Sequence, residues 1–201
     1  MTTKEIFGFI AVIISSVACI NYVISTLRGQ TKPHAFTWAI WSLIMGIVFV
    51  AQWNEGARAG SWTTGISGLF CFIIFILSLF RGEKNITRLD WLALLSALAI
   101  IPFWHLTHNA LLAVVLATLI DSFAYYPTIR KTWIKPFEEN FFMYTSDDVK
   151  WIFALLAMSD YSMTTLIYPI FCMVANGSVT LIIFWRRRKL NGKCGAIIAE
   201  D

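Results

Sequence analysis

Four polar residues stand where polarity is expensive. Asp121, Asp147, Lys150 and Asn176 can carry charge or exchange hydrogen bonds, and the segments around them are mostly apolar. An ionised side chain at the centre of a bilayer costs about 2.5–3.5 kcal/mol. Asp147 and Lys150 are three positions apart, so on a helix they share a face and can pair, which lowers that cost. Asp148 points roughly 100° away from Asp147. Asp121 has no partner in its own segment. It either carries a proton in the apolar interior or pairs with Lys150 from another helix. The pattern predicts a central polar cavity lined by Asp121, Lys150 and Asn176, with Asp147 beside them, that binds a small polar molecule. The competing reading is a structural clamp between helices that moves nothing. If Asp121 changes protonation as the cavity fills and empties, transport is proton-linked.

Other residues extend or flank this set. Trp38 and Trp41 stand one turn apart and read either as a stacking pair for a bound molecule or as anchors at the membrane interface. Tyr22, Tyr125 and Tyr126 allow the same two readings. Pro127 removes a helical hydrogen bond and is a candidate gating hinge. Cys19, Cys71 and Cys172 lie in apolar runs, with no C-x-x-C pair, and read as small apolar filler. Gly46, Gly65 and Gly68 read as sites of close helix packing. His105 and His108 have no acidic neighbour, so no metal site is expected. No Ser/His/Asp order, H-E-x-x-H, Walker loop or G-x-G-x-x-G occurs. No catalytic residue or cofactor is therefore assigned, and the chain is not expected to be an enzyme. A retinal protein also has seven spans, but it needs a lysine in the last one, and that segment has none before its basic end.

The elements that must hold these residues follow from composition. Of 201 residues, 58% are apolar and only 14% charged. Soluble domains carry roughly 25% charge, so most of this chain belongs in lipid. A net charge of +4 does not mark a nucleic-acid partner, because the basic residues fall between apolar blocks. A spanning helix needs about 20 mostly apolar residues. Seven segments qualify: 5–27, 35–53, 62–80, 90–105, 109–130, 139–158 and 164–185. The first reads as a span and not a cleaved leader, because its apolar run exceeds the about 7–15 residues of a signal peptide. The sixth either starts near Glu139 and takes Asp147, Asp148 and Lys150 into the bilayer, or is capped at Ser146 or Asp147 and is short.

Charge orients these spans. The connections 1–2, 3–4 and 5–6 and the carboxyl-terminal run hold Arg28, Lys32, Arg81, Lys84, Arg88, Arg130, Lys131, Lys135, Arg186, Arg187, Arg188, Lys189 and Lys193. The other side holds Lys4 and Arg58. Basic loops face the cytoplasm, so the amino terminus is expected outside and the carboxyl terminus inside. Arg186–Lys189 reads as a stop-transfer and anionic-lipid contact.

An internal repeat accompanies the odd span count. At an offset of about 103, Tyr22 meets Tyr125, Arg28 meets Lys131, Lys32-Pro33 meets Lys135-Pro136, Trp38 meets Phe141 and Trp41 meets Tyr144. Spans 1–3 then match spans 5–7, and span 4 is a spacer that leaves both triplets in one orientation. The expected architecture is all-α, with seven transmembrane helices as a 3+1+3 parallel repeat. Residues 1–88 form one bundle, 89–106 a linker helix, 107–189 a second bundle and 190–201 a cytoplasmic tail. By depth, the partners of Asp121, Asp148–Lys150 and Asn176 in the first bundle are Ala18, Met45–Ile47 and the region of Cys71, so the second bundle supplies the charge.

Arg28-Gly-Gln-Thr-Lys-Pro-His34 with Trp38-Ala-Ile-Trp41, Asp121 with Tyr126-Pro-Thr-Ile-Arg-Lys131, and Tyr161-Ser162, Tyr168-Pro169 and Asn176-Gly177 together resemble the PQ-loop/SWEET superfamily of seven-span transporters. The resemblance runs to Lys189 and looks closest to a bacterial inner-membrane branch. It implies a carrier for a small polar metabolite, working by alternating access. The Pro-Gln dipeptide itself is absent, since Pro127 is followed by Thr128, and Ile24 stands where the second repeat has Pro127. Substrate residues therefore do not carry over from sugar or cystine carriers. The expected partners are a small-molecule substrate and the bilayer, and a homo-oligomer is compatible with the composition. A receptor or sensor of the same architecture is the alternative function.

Overall fold

The computed structural model describes residues 1–29, 33–82, 88–134, 136–138 and 141–198, and the side chains of 89, 124, 126–128, 130–131, 138 and 191–198 are outside that description. Among the described residues the architecture is all-helical: α1 (Thr3–Leu27), α2 (Ala35–Asn54), α3 (Ala59–Arg81), α4 (Arg88–Thr107), α5 (Ala110–Ile134), a 3-10 turn (Pro136–Glu138), α6 (Phe141–Ala157) and α7 (Met163–Ile198). Five of these helices, α1 to α4 and α7, are long and apolar enough to cross a membrane, and α5 adds a shorter apolar stretch over Ala110–Phe123. The chain is compatible with a multi-pass membrane protein.

Local chemistry sets the ends. Thr2 and Glu5 form a reciprocal capping box on α1, with Glu5 accepting from the Thr2 amide at 2.7 Å and Thr2 from the Glu5 amide at 3.3 Å. The α2–α3 connection turns through Gly56 at φ +81° and Arg58 at φ +48°. That tight turn lets α3 begin at Ala59, three residues before the apolar run at 62 suggests. Ser146 and Asp147 lie inside α6, which starts by Phe141; a start at Glu139 lies outside the described residues. An N-cap at Ser146 or Asp147 is thus corrected: the helix begins earlier and carries the paired charges of Asp147 and Lys150 within it. α7 runs past Trp185 through the basic residues to Ile198, so positions 190–198 continue the helix. Arg, Lys and Leu favour helix and no proline intervenes.

Packing sorts the helices. α3 touches both α1 and α2, and α7 touches both α5 and α6. α1 packs on α6 and α2 on α5, while α3 also meets α6 and α2 meets α7. Among the described residues, α4 packs on α2 and α5 alone. The core between them holds Ile44, Val48, Val114, Trp151 and Tyr168. Large apolar side chains such as Phe9, Val17, Leu69, Phe72, Phe123 and Leu181 face outward. A soluble protein rarely leaves so wide an apolar belt uncovered, whereas lipid covers it without cost.

One end of the bundle is shut. A Cβ on Gly60 would stand 2.7 Å from Met158 Cα, so α3 meets the α6–α7 connection where no side chain fits. Ser159 N–H donates to Ala57 O at 3.3 Å, joining the α2–α3 and α6–α7 connections. Beneath them, Pro169 cannot donate to the carbonyl of Thr165 one turn earlier. Gln52 Nε2 donates to that carbonyl instead at 3.1 Å, and Thr64 Oγ1 donates to Gln52 Oε1 at 2.8 Å. Gln52, Thr64 and Thr165 are fully buried.

Candidate functional site

Asp121 is 11 residues into the 25-residue α5, so at about 1.5 Å per residue it is near mid-helix. Two neighbouring helices reach it. Trp41 Nε1 on α2 donates to Asp121 Oδ1 at 3.0 Å, and Tyr168 OH on α7 donates to Oδ2 at 3.2 Å. Asp121 retains 2% exposure. Its expected alternative partner, Lys150, is engaged elsewhere: Nζ donates to Asp147 Oδ1 at 2.7 Å, within the same face of α6. The i,i+3 geometry wins because both groups are already on one rigid helix, whereas reaching Asp121 needs a neighbouring one.

A second chain of hydrogen bonds grows from that pair. Asn176 Nδ2 donates to Asp147 Oδ2 at 3.1 Å, and Tyr125 OH donates to Asn176 Oδ1 at 2.9 Å. On the other side Lys150 Nζ donates to Ser67 Oγ at 3.4 Å, and Ser67 shares a 2.8 Å hydrogen bond with Ser15. The Lys150 ammonium also lies 5.1 Å from the Trp151 ring centroid. The polar thread Tyr125–Asn176–Asp147–Lys150–Ser67–Ser15 joins α5, α7, α6, α3 and α1.

Both networks border one cavity of about 100 Å³. Asp121, Lys150, Asn176, Asp147, Trp38, Trp41 and Tyr125 all line it. It extends from the middle of the bundle toward the ends of α2 and α6 that follow the basic connections. The buried Gln52–Thr64–Thr165 cluster lies between it and the opposite end. The arrangement can neutralise a charge, stack a flat or cationic group and exclude bulk water.

Several expectations change. Trp38 and Trp41 face the cavity and not the outer surface: Trp38 is 5% exposed, and the two rings pack edge-on with centroids 5.2 Å apart. Tyr22 stacks on Trp38 at 4.8 Å. Cys19, Cys71 and Cys172 all border the cavity. The first half is not wholly apolar there, because Ser15 and Ser67 enter the thread. Asp148 is directed away, toward Gly177 of α7, and its buried Oδ1 has no hydrogen-bond partner among the described residues. α5 passes through Pro127, but that side chain is outside the described residues, as is Tyr126. Gly65 packs against Phe49 and Gly68 against Met45, while Gly46 faces open space. The basic run docks on the protein as well: Arg186 Nε donates to Trp133 O at 2.8 Å and Arg187 Nε to Pro136 O at 3.0 Å.

Tyr144, Tyr168, Ser67 and Met143 are cavity residues that sequence reading did not select. The signal was present. Tyr168, Cys172 and Asn176 recur every four residues, as do Ser67 and Cys71, Asp121 and Tyr125, and Met143 and Asp147. Such spacing puts each set on one helix face.

No family model, curated protein or solved structure matches this chain.

Proposed function

We propose that the chain is a seven-span carrier of the 3+1+3 kind, with its amino terminus outside the cytoplasmic membrane and its carboxyl terminus inside. It would move a small polar metabolite by rocking α1–α3 against α5–α7 around the central cavity. The observation that carries this reading is the cavity itself: Asp121, the Asp147–Lys150 pair and Asn176 meet at mid-depth in a bundle wrapped in apolar side chains. Polarity buried at such cost marks a path or a site in membrane proteins.

The packing pattern supports the repeat. Exchanging α1 with α5, α2 with α6 and α3 with α7 turns every helix contact within and between the triplets into another that is present: α1–α3 into α5–α7, α2–α3 into α6–α7, α1–α6 into α2–α5, and α3–α6 into α2–α7. An arrangement that survives this exchange is what two like-oriented triplets related by an axis along the membrane normal require, and it leaves a central site between them about which they can rock. With the α2–α3 and α6–α7 connections sealed, this conformation is the one closed to the outside.

The test is efflux. Purified protein is reconstituted in liposomes loaded with a mixture of small polar metabolites, and retained contents are measured by mass spectrometry. Selective, saturable loss of one solute class is expected, with Asp121→Asn slowing it roughly 10–100-fold through loss of charge-assisted contacts of about 1.5–3 kcal/mol. Membrane insertion of the variant should be unchanged. Retention equal to that of protein-free liposomes would remove the carrier reading, and binding without flux would favour a receptor.

A further inference from the structure

We infer that the cavity takes a small organic cation, a compact ammonium or quaternary ammonium group held between Asp121 and the aromatic rings around it. This rests on the central cavity being the substrate site.

Charge on the wall is unequal. Asp147 meets Lys150 at 2.7 Å and Asn176 at 3.1 Å, so that carboxylate is already compensated. Asp121 receives only the neutral donors Trp41 and Tyr168, and among the described residues no Lys, Arg or His lies within 4.0 Å of it. With Asp121 ionised, the site is one positive charge short. A cationic guest supplies it and removes the cost of an uncompensated buried carboxylate. The rest of the wall suits such a guest. Trp38, Trp41, Tyr125, Tyr144 and Tyr168 border the cavity, and ring faces attract cations whose water has been stripped.

Other guests fit worse. An anion meets Asp121 directly. A polyol needs several free donors and acceptors, yet Asn176 is held by Tyr125 and Asp147, and Ser67 by Ser15 and Lys150. Size narrows the choice. An engineered cavity of about 150 Å³ holds benzene, with six carbons, so this cavity of about 100 Å³ suits roughly four or five heavy atoms.

The probe is radiolabelled tetramethylammonium, with tert-butanol as the uncharged compound of the same shape. Equilibrium binding is measured on the full chain in nanodiscs, and flux on the same preparation in liposomes. Saturable tetramethylammonium binding is expected, with tert-butanol failing to displace it. Asp121→Asn and Trp41→Leu should each weaken binding about tenfold or more, while Trp41→Phe, which keeps a ring, loses less. If Asp121→Asn does not fold, the competition on the unmodified chain decides alone. Displacement by tert-butanol as effective as by unlabelled tetramethylammonium overturns the inference. So does absence of tetramethylammonium binding in a preparation that transports another solute, and that outcome leaves the carrier reading intact. Binding without flux leaves the ligand class standing and removes the carrier.

Discussion

Lys150 is the residue on which the wall of the cavity turns. It is 3% exposed and holds Asp147 and Ser67 together. Removing one partner of such a pair leaves an uncompensated charge, whereas removing both leaves none. Lys150→Met should therefore destabilise the protein by about 3 kcal/mol, read from denaturant titration in micelles. Lys150→Met combined with Asp147→Leu should recover a large part of that loss. Equal destabilisation in the single and double variants would show that the pair contributes nothing as a pair. Sequence spacing made this pair visible, because three positions on a helix bring two side chains together whatever the surroundings. The partners of Asp121 were not visible. Trp41 lies eighty positions away and Tyr168 forty-seven, and only packing brings them to one carboxylate.

Among the elements, α7 carries Pro169 within its helix. Pro169 frees the Thr165 carbonyl, and Gln52 from α2 satisfies it while accepting from Thr64 of α3. The cluster ties α2, α3 and α7 together. Gln52→Leu keeps the volume close but orphans the carbonyl, so a loss of about 1–3 kcal/mol is expected. Thermal unfolding in detergent measures it, and a variant as stable as the parent would show that the carbonyl finds another donor. The same change should loosen the closed end. Thiol reagents added from outside should then reach Cys71, which is 4% exposed beside the cavity, faster than in the parent. The helix limits themselves were legible to within a few residues, since runs of apolar residues and their Gly, Asn and Pro breaks define them. What the runs did not show was that α3 starts early at Ala59 and that α7 carries on through the basic residues.

At the scale of the whole molecule, orientation and packing make separate claims. Thirteen basic residues of the sequence fall on one side and two on the other when the seven spans are threaded. A cysteine placed at Glu55 should react with an impermeant maleimide added to intact cells, and a fluorescent protein fused at the carboxyl terminus should fluoresce in the cytoplasm. The reverse pattern would invert the proposed topology, and a mixed one would mean a miscounted span. The exchange pattern of helix contacts supports the repeat more strongly than residue matches do. A Lys-Pro match can arise from ordinary loop chemistry, whereas equivalent neighbours for six helices require the whole bundle to be arranged that way.

By itself, the sequence determined the long apolar helices and the cost that polar residues within them would carry. Those follow from hydropathy, length and spacing along one rod, which are local properties. Only the tertiary structure decided that Trp38 and Trp41 face inward, that Asp121 is bound by neutral donors while Lys150 belongs to Asp147, and that Ser67 of α3 and thiols of α1 and α3 line the same cavity. These depend on how each helix is rotated about its axis. An amphipathic stripe facing lipid on one side and a half-polar core on the other sets that rotation only weakly, so neighbouring helices must set it.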